Sequence, residues 1–153
     1  MNLQKYWEKR KFKETSEPRG KISKSEKKRF VIQEHWATHH HFDFRLEMEG
    51  VLKSWAVPKG VPEEAGIKRL AIQTEDHPTD YVNFKGIIPE GLYGAGKVEI
   101  YDEGSYELVN KTPIQIEFKL LGKKIKGDYR LVKFQEPNQW LLFKLKQTSP
   151  LTS

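Results

Sequence analysis

Four of the chain's five histidines fall within seven residues, as His35, His39, His40 and His41 of EHWATHHHFDFRLE. From His41 to Glu47 the chain alternates, with His41, Asp43, Arg45 and Glu47 at odd positions and Phe42, Phe44 and Leu46 at even ones. Residues two apart on a strand share a face, so the pattern predicts a strand with one apolar face for a core. The other face would carry imidazole, carboxylate and guanidinium in a row, roughly 6.5 to 7 Å from one to the next. A histidine and an aspartate can bind a divalent cation, and an arginine one step further can hold two phosphate oxygens against it. An isolated His-x-Asp pair is more often surface decoration. Here Arg45 on the same face and an apolar opposite face favour a site.

A third ligand has to come from elsewhere. His35 lies six residues upstream of His41 and needs the intervening WATHH to bend or bulge. His77, in TEDHPTDY, is the only other histidine, and Pro78 and Asp80 predict a turn there, just after a strand RLAIQTE. His40 shares the parity of Phe42 and Phe44, which fits packing, and His39 has no evident partner. Other motifs carry less. GLYGAGK, residues 91–97, lacks the spacing of a phosphate-binding P-loop and runs into VEIY, so it reads as a tight turn between strands. Lys59 in VPKG and Arg69 read by themselves as solvated cations. Nothing resembles a nucleophile elbow.

These residues need a frame, and strand signals supply it. FVIQEH, FDFRLEM, VLKSWAV, RLAIQTE, KVEIYD, SYELV, IQIEFKLL, DYRLVKF and QWLLFKLK alternate with turn chemistry at EG, PKGVPEEAG, EDHPTD, PEGLYGAG, DEGS, LGKKIKG and EPN. Short strands without a convincing long helix predict a mainly β protein, an all-β barrel or sandwich. A short helix is expected around Leu3 to Lys13, and residues 147–153 read as a frayed end. At 153 residues the chain suits one domain.

Composition narrows the chemistry further. The absence of cysteine excludes disulfides and thiolate metal sites, leaving His, Asp and Glu as ligands for metals such as Mn, Fe or Zn. No window approaches the ~18 consecutive apolar residues of a membrane span, and the charged N-terminus lacks the apolar region of a secretory signal. A cytoplasmic protein with no membrane partner is expected. The net charge of +6 is uneven, because residues 1–29 hold eleven basic and four acidic residues, and the rest of the chain is nearly balanced. Such a segment is either a solvated tail or an arm for a polyanion.

FVIQEHWATHHHFDFRLEMEGVLKSWAVPKGVP and RLAIQTEDHPTDYVNFKGIIPEGLYGAGKVEIYDEGSYE resemble the 3′-phosphoesterase domain of bacterial DNA ligase D and its free-standing archaeal and bacterial relatives. The likeness extends to YWEKRKFKETSEP near the N-terminus and to FKLLGKKIKGDYRLVKF and WLLFKLK near the C-terminus. The resemblance implies a compact β-barrel with short flanking helices, residues 30–146, and a basic N-terminal arm, residues 1–29, that contributes to the site. It implies a manganese-dependent enzyme of non-homologous end joining, with Co²⁺ or Zn²⁺ able to use the same site. Such an enzyme trims a 3′-terminal ribonucleotide to a 3′-phosphate and then removes the phosphate to leave 3′-OH. The expected partners are a DNA primer–template bearing either end and a DNA ligase or polymerase; a nucleoid-associated monomer is expected.

Residue by residue, the resemblance implies His35, His41 and Asp43 as metal ligands. Arg45 and His77 match the residues that hold the scissile phosphate, and Tyr81 matches an active-site tyrosine. Arg10, Glu17, Lys59, Arg69 and Glu75 match supporting or nucleic-acid-contacting residues. Lys11 stands where many relatives carry Asp, and His40 where they usually carry Leu. Two other readings are weighed against this one. A non-haem iron oxygenase would use His41-x-Asp43 with His77, although Arg45 suits phosphate better than O₂ chemistry. A non-catalytic nucleic-acid-binding barrel would need only the basic arm, with Trp36 or Tyr93 as stacking platforms.

Overall fold

The computed structural model describes residues 2–24 and 27–146; the expected frayed end at 147–153 lies outside the described residues. Two antiparallel meanders make up the protein. The first comprises β1 (Arg29–Trp36), β2 (His41–Met48), β3 (Val51–Val57) and β4 (Lys68–His77). After β5 (Gly86–Ile88), the second comprises β6 (Gly96–Thr112), β7 (Gln115–Gly122), β8 (Lys126–Gln135) and β9 (Gln139–Lys144). β4 pairs with β9 and β1 pairs with β6, which closes eight strands into an antiparallel barrel with β5 attached to the start of β6. The fold is therefore mainly β, as the alternation predicts. Among the described residues helix is confined to α1 (Gln4–Glu8) and a single 3₁₀ turn, Thr79–Asn83. Among the described residues no helix is long and apolar enough to cross a membrane.

Alternation sorts the side chains between two cores. Phe30, Ile32, Phe44, Leu46, Trp55, Phe118, Leu120, Tyr129 and Leu142 fill the barrel interior. A second cluster forms on the outer wall, where Val31, Leu52 and Val98 meet Tyr6 of α1 and Tyr81, Val82, Phe84 and Ile88 of the connection between β4 and β6. The N-terminal segment is thus anchored: Leu3 and Tyr6 are fully buried, and the Trp7 indole N–H donates to the Arg19 carbonyl. Helix is restricted to Gln4–Glu8 instead of running to Lys13, with Glu14 N–H turning back to the Lys11 carbonyl.

Two other local expectations change. KVEIYD and SYELV are one strand, because DEGS does not turn. A Cβ at Gly104 would sit 2.3 Å from the Leu121 carbonyl oxygen, so this glycine permits close approach of β7. Asp102 accepts backbone N–H bonds from Lys123, Lys124 and Ile125 at 3.0, 3.1 and 2.8 Å, fixing the β7–β8 turn instead of making its own. His77 is the last residue of β4, opposite Leu52 of β3, and not part of a turn; the turn starts at Pro78. GLYGAGK does connect two strands, β5 and β6.

Candidate active site

The β1–β2 hairpin places His35 directly across from His41, with the bend at residues 37–39 between them. One step into the sheet Gln33 faces Asp43, and Val31 faces Arg45. On the other side, β3 offers Ala56 and Ser54 opposite Asp43 and Arg45. These small side chains leave space beside the long arginine. The result is a cavity of about 310 Å³ on the outer wall of the barrel. Its lining includes Arg10, His35, His41, Asp43, Arg45 and His77.

At one end of the cavity, ligand atoms of His35, His41 and Asp43 lie within 4.8 Å of one another. Backbone carbonyls set the two imidazoles. His35 donates Nε2–H to the Gly94 carbonyl at 2.7 Å, and His41 donates Nδ1–H to the His39 carbonyl at 2.8 Å, because a carbonyl can only accept. His35 Nδ1 and His41 Nε2 are left facing Asp43, at 3.4 Å from Oδ2 and 3.2 Å from Oδ1. Burial alone would raise the Asp43 carboxyl, but Arg45 and the two imidazoles overturn it and hold the group well below the ordinary carboxylate range. Burial alone would lower His41, yet the bond to Asp43 and its charge raise the imidazole above its usual value. Two oriented imidazoles and an ionised carboxylate beside an open cavity are a donor set that fits a divalent cation. His39 contributes only its carbonyl. His40 stacks on Trp36 at 5.5 Å and bonds Glu34 at 2.9 Å, away from the cation-binding set.

Beside Asp43, Arg45 is fixed from behind. Its Nε donates to Gln33 Oε1 at 2.7 Å, and Gln33 Nε2 in turn donates to the carbonyls of Tyr81 and Phe84 at 3.0 and 2.9 Å. Nη2 lies 3.6 Å from Asp43 Oδ2, and the guanidinium sits 4.8 Å over the Tyr81 ring. His77 lies between two guanidiniums, 3.2 Å from Arg45 Nη1 and 3.3 Å from Arg10 Nη2. The Glu75 carbonyl, 2.9 Å from Nδ1, assigns the proton to that nitrogen and leaves Nε2 to accept from Arg10. Burial, then Arg45 and Arg10, hold His77 well below its ordinary pKa, so the imidazole is neutral.

Arg10 is presented by the N-terminal segment. It donates to Glu75 Oε2 at 2.9 Å and Glu17 Oε2 at 3.1 Å, and Tyr81 donates to the same Glu17 oxygen at 2.8 Å. Burial raises the Tyr81 phenol far above its usual value, so it stays a neutral donor. The structure therefore brings together Arg10, Glu17, His35, His41, Asp43, Arg45, Glu75, His77 and Tyr81. It leaves Lys59 and Arg69 outside the cavity lining, where Arg69 Nη1 donates to the Lys59 and Gly60 carbonyls at 2.6 and 3.1 Å. The cation-binding set joins His41 and Asp43 to His35 and not to His77, unlike the triad that the oxygenase reading above would use.

Gln33, Lys9 and the Gly94 carbonyl escape sequence reasoning. Gln33 shared the parity of His35, which was the available signal. Lys9 Nζ donates to Glu75 Oε1 at 3.1 Å across a sequence separation that no local pattern reveals.

Residues 33–133 match the family described as the DNA Ligase D 3′-phosphoesterase domain. The multifunctional non-homologous end joining protein LigD of Pseudomonas aeruginosa is 41% identical over 94% of this chain and 18% of its own length. That of Mycobacterium bovis is 49% identical over 76% of this chain and 16% of its own. That of Mycolicibacterium smegmatis is 44% identical over 77% and 17%. The chain spans less than a fifth of the length of these curated relatives.

Proposed function

The chain belongs to the DNA ligase D 3′-phosphoesterase domain family, and on that premise we propose that it hydrolyses phosphoesters at the 3′ ends of DNA. In the monoester step water adds to phosphorus, the P–O3′ bond breaks, O3′ takes up a proton and inorganic phosphate leaves. In the diester step water likewise adds to phosphorus, the P–O5′ bond to a terminal ribonucleoside breaks, O5′ takes the proton and the phosphate stays on the strand. The repaired 3′-OH ends would serve a DNA ligase or polymerase in end joining, the process that the relatives' names specify.

The observation that carries this reading is the juxtaposition across one cavity of a cation-binding set with Arg45, Arg10 and His77. A divalent cation, manganese by the family resemblance, would be held by His35 Nδ1, His41 Nε2 and Asp43 and would supply Lewis-acid polarisation of a phosphoryl oxygen. Arg45, locked by Gln33, offers a fixed fork to the remaining oxygens, so charge that develops on them meets donors already in place. Arg10 faces the same group from the N-terminal segment, held by Glu17 and Glu75. His77 enters as a neutral imidazole, and Nε2 is the atom at which a proton would arrive or leave. Tyr81 holds Glu17 and supports Arg45 from below. Lys59 and Arg69, outside the cavity lining, would contact the nucleic-acid strand by the family resemblance alone.

The test is incubation with a primer–template ending in a 3′-phosphate or in one 3′-ribonucleotide, with and without Mn²⁺. Both ends should become 3′-OH only with metal. Conversion of the phosphate end alone would confine the activity to the monoester step, in line with Lys11 replacing the acidic residue of relatives. Conversion of neither, under any divalent cation, would refute the proposal.

A further inference from the structure

Tyr93 stands out among the residues around the cavity. It lines the opening yet leaves 47% of its surface exposed. Other exposed apolar side chains, such as Ile87 and Val109, lie outside the cavity lining. Tyr93 is held from several directions: Lys9 Nζ donates to its hydroxyl at 3.3 Å and sits 4.6 Å over the ring, and the Arg10 guanidinium lies 5.2 Å from it.

The loop that presents this ring is packed on both sides and tied to the cation-binding set. Leu92 packs into the outer core on one side of Tyr93. On the other side the Gly94 carbonyl receives the His35 N–H, and Gly94 adopts φ +76°. A Cβ at Gly96 would meet the Trp36 carbonyl oxygen at 2.2 Å, so the loop lies hard against the end of β1. A flat ring, braced by Lys9 and Arg10 at the opening of the cavity, is what a stacked base needs. Stacking is tolerant of base identity because every base has a π-face, and fixing the ring in advance lowers the ordering cost of binding.

We propose that Tyr93 is the stacking platform for the base of the 3′-terminal nucleotide, making it a positioning residue that selects polynucleotide ends over base-free phosphomonoesters. The inference rests on the phosphoesterase reading above. The base stacks on the ring, and its phosphate reaches Arg45 and the cation-binding set. Purines, with the larger π-face, are favoured over pyrimidines at the terminal position.

The experiment compares kcat/KM for Mn²⁺-dependent phosphate release from two oligonucleotides with a 3′-phosphate, one ending in adenine and the other in an abasic tetrahydrofuran. The wild type should prefer the adenine end roughly tenfold. Tyr93→Leu should bring that ratio to about one, and Tyr93→Phe should keep it although the Lys9 bond is lost. Tyr93→Trp should hold or widen it. A wild-type ratio of one, or a ratio that survives Tyr93→Leu, overturns the stacking assignment alone. Release from neither end by the wild type overturns the phosphoesterase reading and the stacking with it.

Discussion

The two faces of β2 are equally buried and held by different physics. Inward, Phe44 and Leu46 are fully buried, and Phe44 stacks on Phe118 at 5.7 Å. Outward, Asp43, Arg45 and Glu47 are 8%, 4% and 1% exposed. The inner face gains from removing apolar surface from water, about 1.5–3 kcal/mol for each large side chain, and tolerates swaps that conserve volume. The outer face has no such latitude, since a buried charge without its partner is strongly unfavourable. Each charge there has an assigned partner: Arg29 makes a two-point contact with Glu47 at 2.8 and 3.0 Å, and Arg45 lies between Gln33 and Asp43. A strand whose outer face is so polar stays buried because the N-terminal segment and the connection between β4 and β6 close over the site beside it. That cover is what turns an alternating strand into a site.

The comparison breaks first at Arg45. Arg45→Lys keeps the charge and loses the fork, so the rate on a 3′-phosphate end should fall roughly 100-fold while near-UV circular dichroism is retained. A rate within twofold of wild type would mean that the outer face is structural only. Phe44→Ala should do the reverse, costing about 3–5 kcal/mol in urea unfolding through a cavity in the barrel. A loss below about 1 kcal/mol would show that the interior is not the main source of stability.

How much of this contrast the sequence carries follows from the range of each signal. Alternation in HFDFRLE identifies both faces of β2, because strand periodicity is local. The hairpin register that sets His35 across from His41 is nearly as local, spanning one bend. The cover is not. Arg10 meets Glu75 and His77, and Glu17 meets Tyr81, across more than sixty residues of chain. The resemblance names these residues, and the structure supplies their contacts. DEGS misleads because its Asp and Gly serve the neighbouring strand, as Asp102 and Gly104 do for the β7–β8 turn and for β7. Gln33 escapes notice since a buried glutamine has no charge or ligand signature in sequence.

A gentler test uses pH. His77 binds its proton more weakly folded than unfolded, where its value is near 6.5. The unfolded chain therefore holds more protons in the window below that value. The stabilising effect is fully present above about pH 6.5 and is lost as pH falls, at up to about 1.4 kcal/mol per pH unit for one proton. In His77→Gln that part of the stability–pH curve should flatten by one proton; an unchanged slope would place the charged form of His77 in the folded state. The smallest effect belongs to His40, which is exposed and, among the described residues, engaged with Trp36, Phe42 and Glu34. His40→Leu should change stability by no more than about 0.5 kcal/mol, measured by thermal unfolding, and a larger loss would give it a structural part.

We propose that the crowded histidines divide, His35 and His41 joining Asp43 in one cation site while His39 and His40 stand aside. Calorimetric titration of the full chain with Mn²⁺ tests this directly. One site is expected in the wild type, retained in His39→Ala and His40→Ala and lost in both His35→Ala and His41→Ala. Undiminished binding without His35, or binding that depends on His39 or His40, would contradict the account.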